Sequence, residues 1–332
     1  MTTFKALQVT ETADGQFSRQ IIQRDLSELP AGEVLIKVVY AALNYKDALS
    51  ATGNKGITRT YPHTPGIDAA GVVVESQDEN IQVGESVIVT GYDLGMNTSG
   101  AFAEYIRVPA EWVVKLPNNL TLKQSMIYGT AGFTAAWSIY RLQQSGLRPE
   151  HGEVLVTGAT GGVGCLGVAI LAKLGYHVVA GTGKPEAEEF LRHIGAKDIV
   201  GRAALQDSSN RALLKGRWAG VLDTVGGNIL ETAIRSCQYG GHVSCCGLVA
   251  SNELHLPIYP FILRGVSLLG IDSAARPMEM RLELWNLMAN EWRVPAEVLL
   301  EIGIDTTLEE LNTVYIDKIL QGRVRGHVVV TL

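Results

Sequence analysis

Val154-Leu155-Val156-Thr157-Gly158-Ala159-Thr160-Gly161-Gly162-Val163-Gly164 is an apolar β-type run that feeds a glycine-dense turn, and residues 163–174 behind it read as a helix stopped by Gly175. Read as A-x-G-x-x-G, the stretch puts Ala159 at a tight turn, Gly161 where backbone must approach a pyrophosphate, and Gly164 where helix packs closely on strand. The N-terminus of the helix then offers free N–H groups to phosphates. A dinucleotide site is expected here, because strand, turn and helix supply the context that a lone glycine motif lacks.

Outward from this turn, β-type runs recur at residues 176–180, 198–200, 219–223, 242–246 and 266–272, separated by segments long enough for crossover helices. Such alternation predicts an α/β unit with a Rossmann-type, doubly wound parallel sheet over residues 125–293. Residues 1–124 read differently, as short strands such as Val34-Leu35-Ile36-Lys37-Val38-Val39-Tyr40 between Pro, Gly and Asn clusters. The tail, 294–332, returns to mixed texture with an acidic helix near 308–320 and a last strand, Val328-Val329-Val330. The expected domains are therefore 1–124 with 294–332, and 125–293. A chain of 332 residues fits that count, at roughly 150 residues per domain.

The end of the second strand of the sheet distinguishes the two nicotinamide dinucleotides. An NAD site usually has Asp or Glu there for the ribose 2′-hydroxyl. This chain has Val178-Val179-Ala180-Gly181-Thr182-Gly183-Lys184, a hydroxyl, a permissive glycine and an ammonium, with Arg202 just after the third strand. Thr182, Gly183, Lys184 and Arg202 suit a 2′-phosphate, so NADPH is preferred over NADH. Gly247, Leu248 and Ser273 follow the fifth and sixth strands, at the carboxyl ends where ligands of such sheets bind.

Composition narrows the partners. Twenty-eight Lys+Arg against 34 Asp+Glu leave a formal charge of −6, the wrong sign for a nucleic-acid binder. Cys165, Cys237, Cys245 and Cys246 show neither a C-x-x-C pair nor a disulfide spacing, which suits a reduced cytoplasm. No run reaches the roughly 18 apolar residues of a membrane span, and the start lacks a signal-peptide core. The seven histidines show no H-E-x-x-H or paired spacing, so none is nominated as a ligand.

Several segments together resemble the medium-chain dehydrogenase/reductases, and within them the quinone-oxidoreductase-like YhdH/YhfP branch that includes NADPH-dependent acrylyl-CoA reductase. They are Leu43-Asn44-Tyr45-Lys46-Asp47-Ala48-Leu49, Pro65-Gly66-Ile67-Asp68-Ala69-Ala70-Gly71, Tyr128-Gly129-Thr130-Ala131-Gly132-Phe133-Thr134-Ala135, the glycine turn, and Tyr259-Pro260-Phe261-Ile262-Leu263-Arg264-Gly265 with Gly270-Ile271-Asp272-Ser273. The resemblance runs nearly end to end. It implies a GroES-like catalytic domain beside the Rossmann domain, a homodimer formed through the Rossmann sheets, and a cofactor set of Tyr45, Thr130, Thr160, Gly161, Gly162, Val163, Thr182, Gly183, Lys184, Arg202, Gly247, Leu248, Ile262 and Ser273. Arg323 is a further member of that set, with Arg325 competing for the role.

Zinc alcohol dehydrogenases of the same superfamily carry a metal-binding Cys near Asn44-Tyr45 and Gly-His-Glu where Gly66-Ile67-Asp68 stands. A catalytic zinc needs three ligands of Cys, His or carboxylate type, which Asn, Tyr and Ile cannot supply. No metal is expected. Alcohol oxidation then loses the Lewis acid for its alkoxide, whereas hydride addition to an activated C=C needs only a hydrogen-bond donor for the developing enolate. The expectation is conjugate reduction of acrylyl-CoA or a similar short enoyl thioester. The resemblance implies a place beside the nicotinamide for Tyr45, whose phenol could bind cofactor or stabilise the enolate, with Asn44 as supporting polar group; water is the other candidate proton donor. Asp47 and Asp68 read as holders of local turns or ion pairs. The competing readings are a broad quinone or enone reductase and a dinucleotide-binding protein without catalysis.

Overall fold

Alternating apolar residues build the first strands of the computed structural model, which describes residues 2–332. Strands β1 (Thr3–Glu11) and β2 (Phe17–Asp25) pair antiparallel. Then come β3 (Val34–Leu43), helix α1 (Tyr45–Ala51), β4 (Asp68–Ser76), β5 (Ser86–Thr90), β6 (Tyr105–Val108) and β7 (Val113–Lys115). Helix α2 (Leu122–Gln144) is broken at Gly129, where φ is +48°.

Next follow β8 (Glu153–Val156), α3 (Gly162–Lys173), β9 (His177–Thr182), α4 (Glu188–His193), β10 (Asp198–Gly201), β11 (Trp218–Asp223), α5 (Gly227–Arg235), β12 (Cys237–Cys245), α6 (Tyr259–Arg264) and β13 (Ser267–Gly270). The chain closes with α7 (Met278–Ala289), α8 (Ala296–Ile302), β14 (Gly303–Thr307) and β15 (His327–Thr331).

Two compact units result. The first runs to Thr130 and takes in Ala274–Ala289 and Leu299–Leu332; the second holds Ala131–Ser273 and Asn290–Val298. In the first unit a seven-stranded sheet has the order β14-β15-β3-β4-β5-β7, with β6 also paired to β3. Its core gathers Val34, Ile36, Val38, Val87, Val89, Phe102, Ile106, Val328 and Val330. All but Phe102, in the loop before β6, come from these strands, whose intervening residues Leu35, Ile88 and Val329 are buried as well.

The second unit is the predicted doubly wound sheet, all parallel, in the order β10-β9-β8-β11-β12-β13. The order reverses between β8 and β11, which makes the crevice beyond their carboxyl ends the topological switch point where such folds bind ligands. Leu155, Val179, Val221, Ile229, Ile234 and Val243 pack its core.

The expected boundary at 294 differs from the division observed. Residues 274–289 join the first unit, because Arg281 is buried there and donates to the Thr90 hydroxyl at 3.1 Å and the Ala274 carbonyl at 2.6 Å. A buried guanidinium must have acceptors around it, and these lie in that unit. Among the described residues no helix is long and apolar enough to cross a membrane.

Candidate active site and dinucleotide cradle

In the second unit, β8 ends at Val156 and the turn that follows is held by side chains behind it. Thr157 Oγ1 donates to Asp223 Oδ1 at 2.7 Å and accepts from the Thr224 amide at 3.0 Å, while Asp223 Oδ2 accepts from the Gly226 amide at 2.9 Å. Burial pushes the Asp223 carboxyl above its usual range. The left-handed residue of the turn is Gly158, at φ +59°, and not Ala159, which is buried.

The two motif glycines do separate work. A Cβ at Gly164 would lie 2.2 Å from the Gly158 carbonyl oxygen and 2.8 Å from Ala159 Cα, so this glycine lets helix and turn touch. A Cβ at Gly161 would meet only the Gly158 oxygen, at 3.5 Å. Its space is open toward whatever approaches the turn. Gly161 caps α3 with no side-chain hydrogen bond, which leaves the first-turn amides from Gly162 and Val163 onward as donors for an anion, beside Thr160.

Of the residues expected at a 2′-phosphate, Thr182, Gly183 and Arg202 lie close together. β9 and β10 end in register at Thr182 and Gly201. The guanidinium of Arg202 lies over Gly183, where a Cβ would be 2.6–2.7 Å from its Nη2, Cζ and Nε atoms. The Lys184 amide donates to Thr182 Oγ1 at 3.0 Å, which tightens the loop that follows β9. The donor set fits an NADP-type dinucleotide: uncapped amides for the pyrophosphate and two cations for the 2′-phosphate.

The remaining candidates of this unit diverge. Gly247 presses on the Thr224 backbone, with a would-be Cβ 1.9 Å from its carbonyl oxygen, so its glycine is explained by packing. Leu248 and Ile262 are exposed, and Ser273 Oγ accepts from Thr134 Oγ1 at 2.8 Å.

In the first unit, α1 begins immediately after β3, with Asn44 as its N-cap. The Asp47 carboxylate reaches back to the Asn44 amide at 2.8 Å and accepts from the Ile67 amide at 2.9 Å, so it holds the helix start and the approach to β4 together. Asp68 accepts from Asn44 Nδ2 at 2.8 Å, from the Thr130 amide at 2.7 Å and from Thr130 Oγ1 at 2.5 Å. Both carboxyls are buried. Loss of hydration, with Asp68 as a nearby like charge, pushes Asp47 up to about 7. Burial likewise raises Asp68 and lowers His327. His327 Nδ1 bonds the Ile127 carbonyl at 2.8 Å, and its Nε2 is buried without a partner among the described residues.

Tyr45, the first residue of α1, is half-buried, and its phenol makes no hydrogen bond among the described residues. Arg323 is in this unit too, exposed, beside Lys318 and Arg325. A zinc of the dehydrogenase type does not fit here. Ile67 is buried and apolar, the Asn44 amide is bonded to Asp68, and Asp68 already accepts from three donors.

Sequence spacing missed two groupings. One is the tie from Asp68 to Thr130, 62 residues apart. The other is Glu153, His177 and Asp198, whose ligating atoms lie within 4.8 Å of one another. They start β8, β9 and β10, at the sheet edge opposite the glycine turn, with His177 Nε2 2.6 Å from Asp198 and Glu153 2.6 Å from Arg217.

A parallel sheet with an uncapped glycine turn, next in sequence to a β-rich unit with an unpartnered phenol, defines a dinucleotide-dependent oxidoreductase fold of the dehydrogenase class. Residues 30–118 match the alcohol dehydrogenase GroES-like domain and residues 162–290 the zinc-binding dehydrogenase family. The chain belongs to the medium-chain dehydrogenase/reductase superfamily and, within it, to the quinone-oxidoreductase-like YhdH/YhfP branch. It is 42% identical to acrylyl-CoA reductase AcuI of Ruegeria pomeroyi, over 98% of each chain. Among solved structures, Bacillus subtilis YhfP with NAD bound is 46% identical with a TM-score of 0.96 over all of both chains. The Salmonella enterica YhdH oxidoreductase in complex with NADP is 40% identical, with a TM-score of 0.95 over 99% of each.

Proposed function

We propose that the protein is a zinc-independent, NADPH-dependent reductase that adds hydride to the C=C of acrylyl-CoA or a similar short enoyl thioester. The observation that carries the reading is the half-buried Tyr45 phenol, left without a hydrogen-bond partner among the described residues at a fixed helix start where the zinc ligands of related dehydrogenases are replaced. The AcuI relative supports the thioester, and the NADP-bound YhdH structure supports the cofactor.

When bound, NADPH supplies the hydride that forms the new C–H bond at the β-carbon, while the π electrons of the C=C move onto the thioester oxygen. That oxygen needs a donor as charge develops, and the α-carbon then needs a proton. Tyr45 donates a hydrogen bond to the oxygen and then passes that proton to the α-carbon, and the phenolate regains a proton from solvent water. Asn44 gives one amide hydrogen to Asp68 and keeps the other for a ligand. Asp47 and Asp68 fix both residues by accepting hydrogen bonds. In the second unit, Thr160, Gly161, Gly162 and Val163 hold the pyrophosphate, and Thr182, Gly183, Lys184 and Arg202 hold the 2′-phosphate. Thr130, Leu248, Ile262 and Ser273 complete the proposed cofactor contacts.

The cellular setting proposed is the cytoplasm, in keeping with four free thiols. Burial raises Cys165, Cys237 and Cys246 to about 12 and Cys245 to about 11. A homodimer through the Rossmann sheets is supported by β13, an edge strand carrying exposed Leu268, and by exposed Ile258 and Leu263 nearby in sequence. Light scattering on the purified protein reads that mass directly.

The experiment is NADPH absorbance with acrylyl-CoA, crotonyl-CoA, a simple quinone and no acceptor, repeated with NADH. Rapid turnover confined to the short thioester with NADPH is expected. Quinone turnover with inert thioesters would replace this reading with a quinone reductase, the activity named for the Bacillus subtilis relative. Equal use of NADH would remove the phosphate site from the account. The reading as a binding protein without catalysis gains nothing from relatives that carry oxidoreductase names.

A further inference from the structure

The first unit holds an open cavity of about 350 Å³ whose wall includes Lys318, Arg323, Arg325, Glu301 and Tyr315. This volume is in the range of small-molecule sites. Three cations face one carboxylate there, in a chain whose formal charge is −6. Lys318 and Arg323 are exposed and enter no ion pair among the described residues. Lys318 Nζ is 5.4 Å from the centre of the Tyr315 ring, which is half-buried and so held in place.

The neighbouring carboxylate, Asp317, does not neutralise the cluster. It pairs with Arg19 at 3.0 Å. The short helix Ile316–Leu320 that carries Lys318 packs against α1, the helix that opens with Tyr45. A cationic cavity with an aromatic wall is thus built onto the support of the proposed proton donor.

We infer that this cavity takes the 3′-phosphorylated adenosine diphosphate end of a coenzyme A thioester, with phosphates on Lys318, Arg323 and Arg325 and a base face against Tyr315. The inference rests on the enoyl-CoA reading above and assigns Arg323 to the substrate instead of the cofactor. Its chemical logic is that a small acyl group offers few contacts, so affinity must come from the remote part of the substrate. Phosphates are the groups that guanidinium and ammonium bind best. NADPH carries a similar phosphorylated adenosine, and the test separates the two sources.

Steady-state kinetics are compared for acrylyl-CoA and acrylyl-pantetheine, which lacks the nucleotide, in the wild type and in Lys318→Glu and Lys318→Met. The expected result is that Lys318→Glu raises KM for acrylyl-CoA about tenfold, with Lys318→Met in between, as for a charge pair crossing an interface. Turnover of acrylyl-pantetheine and KM for NADPH should stay within about twofold of wild type, which also shows that the variants fold. A wild type that prefers the CoA ester together with variants that keep that preference overturns the cavity assignment and leaves the enoyl-CoA reading standing. A raised KM for NADPH alone overturns it in favour of the cofactor. A wild type indifferent to the nucleotide overturns both readings.

Discussion

The glycine turn of the second unit presents its backbone to a ligand, whereas the knot of Asn44, Asp47, Asp68 and Thr130 in the first unit uses polar groups up internally. In the turn, amides are left open because α3 has no side-chain cap, and glycines leave the space around them empty. In the knot, two buried carboxyls accept five hydrogen bonds from Asn44, Ile67 and Thr130. The first arrangement suits an anion that comes and goes. The second fixes a helix start, the one that Tyr45 opens, in a constant position. Binding and chemistry thus rest on different physics, and each can be damaged separately.

The largest effect should come from Gly164→Ala, since the new methyl would collide with backbone at Gly158 and Ala159. A loss of about 3 kcal/mol or more in urea unfolding is expected for the second unit. Gly161→Ala is the matched contrast, with unchanged unfolding and weakened NADPH binding, because its methyl meets only an oxygen at 3.5 Å. Equal stability losses in both would break the distinction between packing glycine and ligand glycine.

Next in size is a pH effect on the knot. The folded chain holds the Asp47 proton up to about pH 7, while the ordinary carboxyl releases it near 3.8. Unfolding between these values therefore releases a proton, and stability falls as pH rises through that window, with a slope approaching roughly 1.4 kcal/mol per pH unit. Thermal melts of wild type and Asp47→Asn from pH 4 to 8 check this. The variant should lose the share of the slope that belongs to one proton, with the shares of Asp68 and Asp223 remaining, and an undiminished slope would take Asp47 out of the account.

The smallest effect sharpens the ligand side of the comparison. Arg202→Ala should raise KM for NADPH about thirtyfold, the worth of a charge-assisted contact of about 2 kcal/mol, and leave KM for NADH and the melting temperature unchanged. A matching rise for NADH would place Arg202 outside the 2′-phosphate corner.

The turn was legible in the sequence because backbone crowding and close approach can be met only by glycine, so the chemistry leaves a local trace. The closeness of Thr182 and Arg202 was legible for a related reason: strand ends in a doubly wound sheet converge by topology, and Gly201 and Thr182 fall in register. The knot left no such trace. Asp68 and Thr130 stand 62 residues apart, and nothing in either segment marks a buried carboxyl that would accept from three donors. The Asp47 and Asp68 carboxyls read as holders of local turns or ion pairs; both instead also join segments far apart in sequence, Asp47 to Ile67 and Asp68 to Thr130. His327 was not singled out at all, since its burial follows from the pairing of β15 with β3 rather than from its neighbours in sequence. The association of 274–289 with the first unit was illegible for the same reason, because Arg281 finds its acceptor Thr90 191 residues away.

The central claim is that the phenol of Tyr45 does the chemistry that a metal does elsewhere in the superfamily. The most direct test is Tyr45→Phe, assayed as single-turnover NADPH oxidation at saturating acrylyl-CoA, alongside a thermal melt. The account predicts a fall of about a hundredfold in the rate at saturating NADPH, the scale of a lost general acid, with the melting temperature unchanged. A variant that reduces acrylyl-CoA at the wild-type rate would contradict it and hand the proton to water.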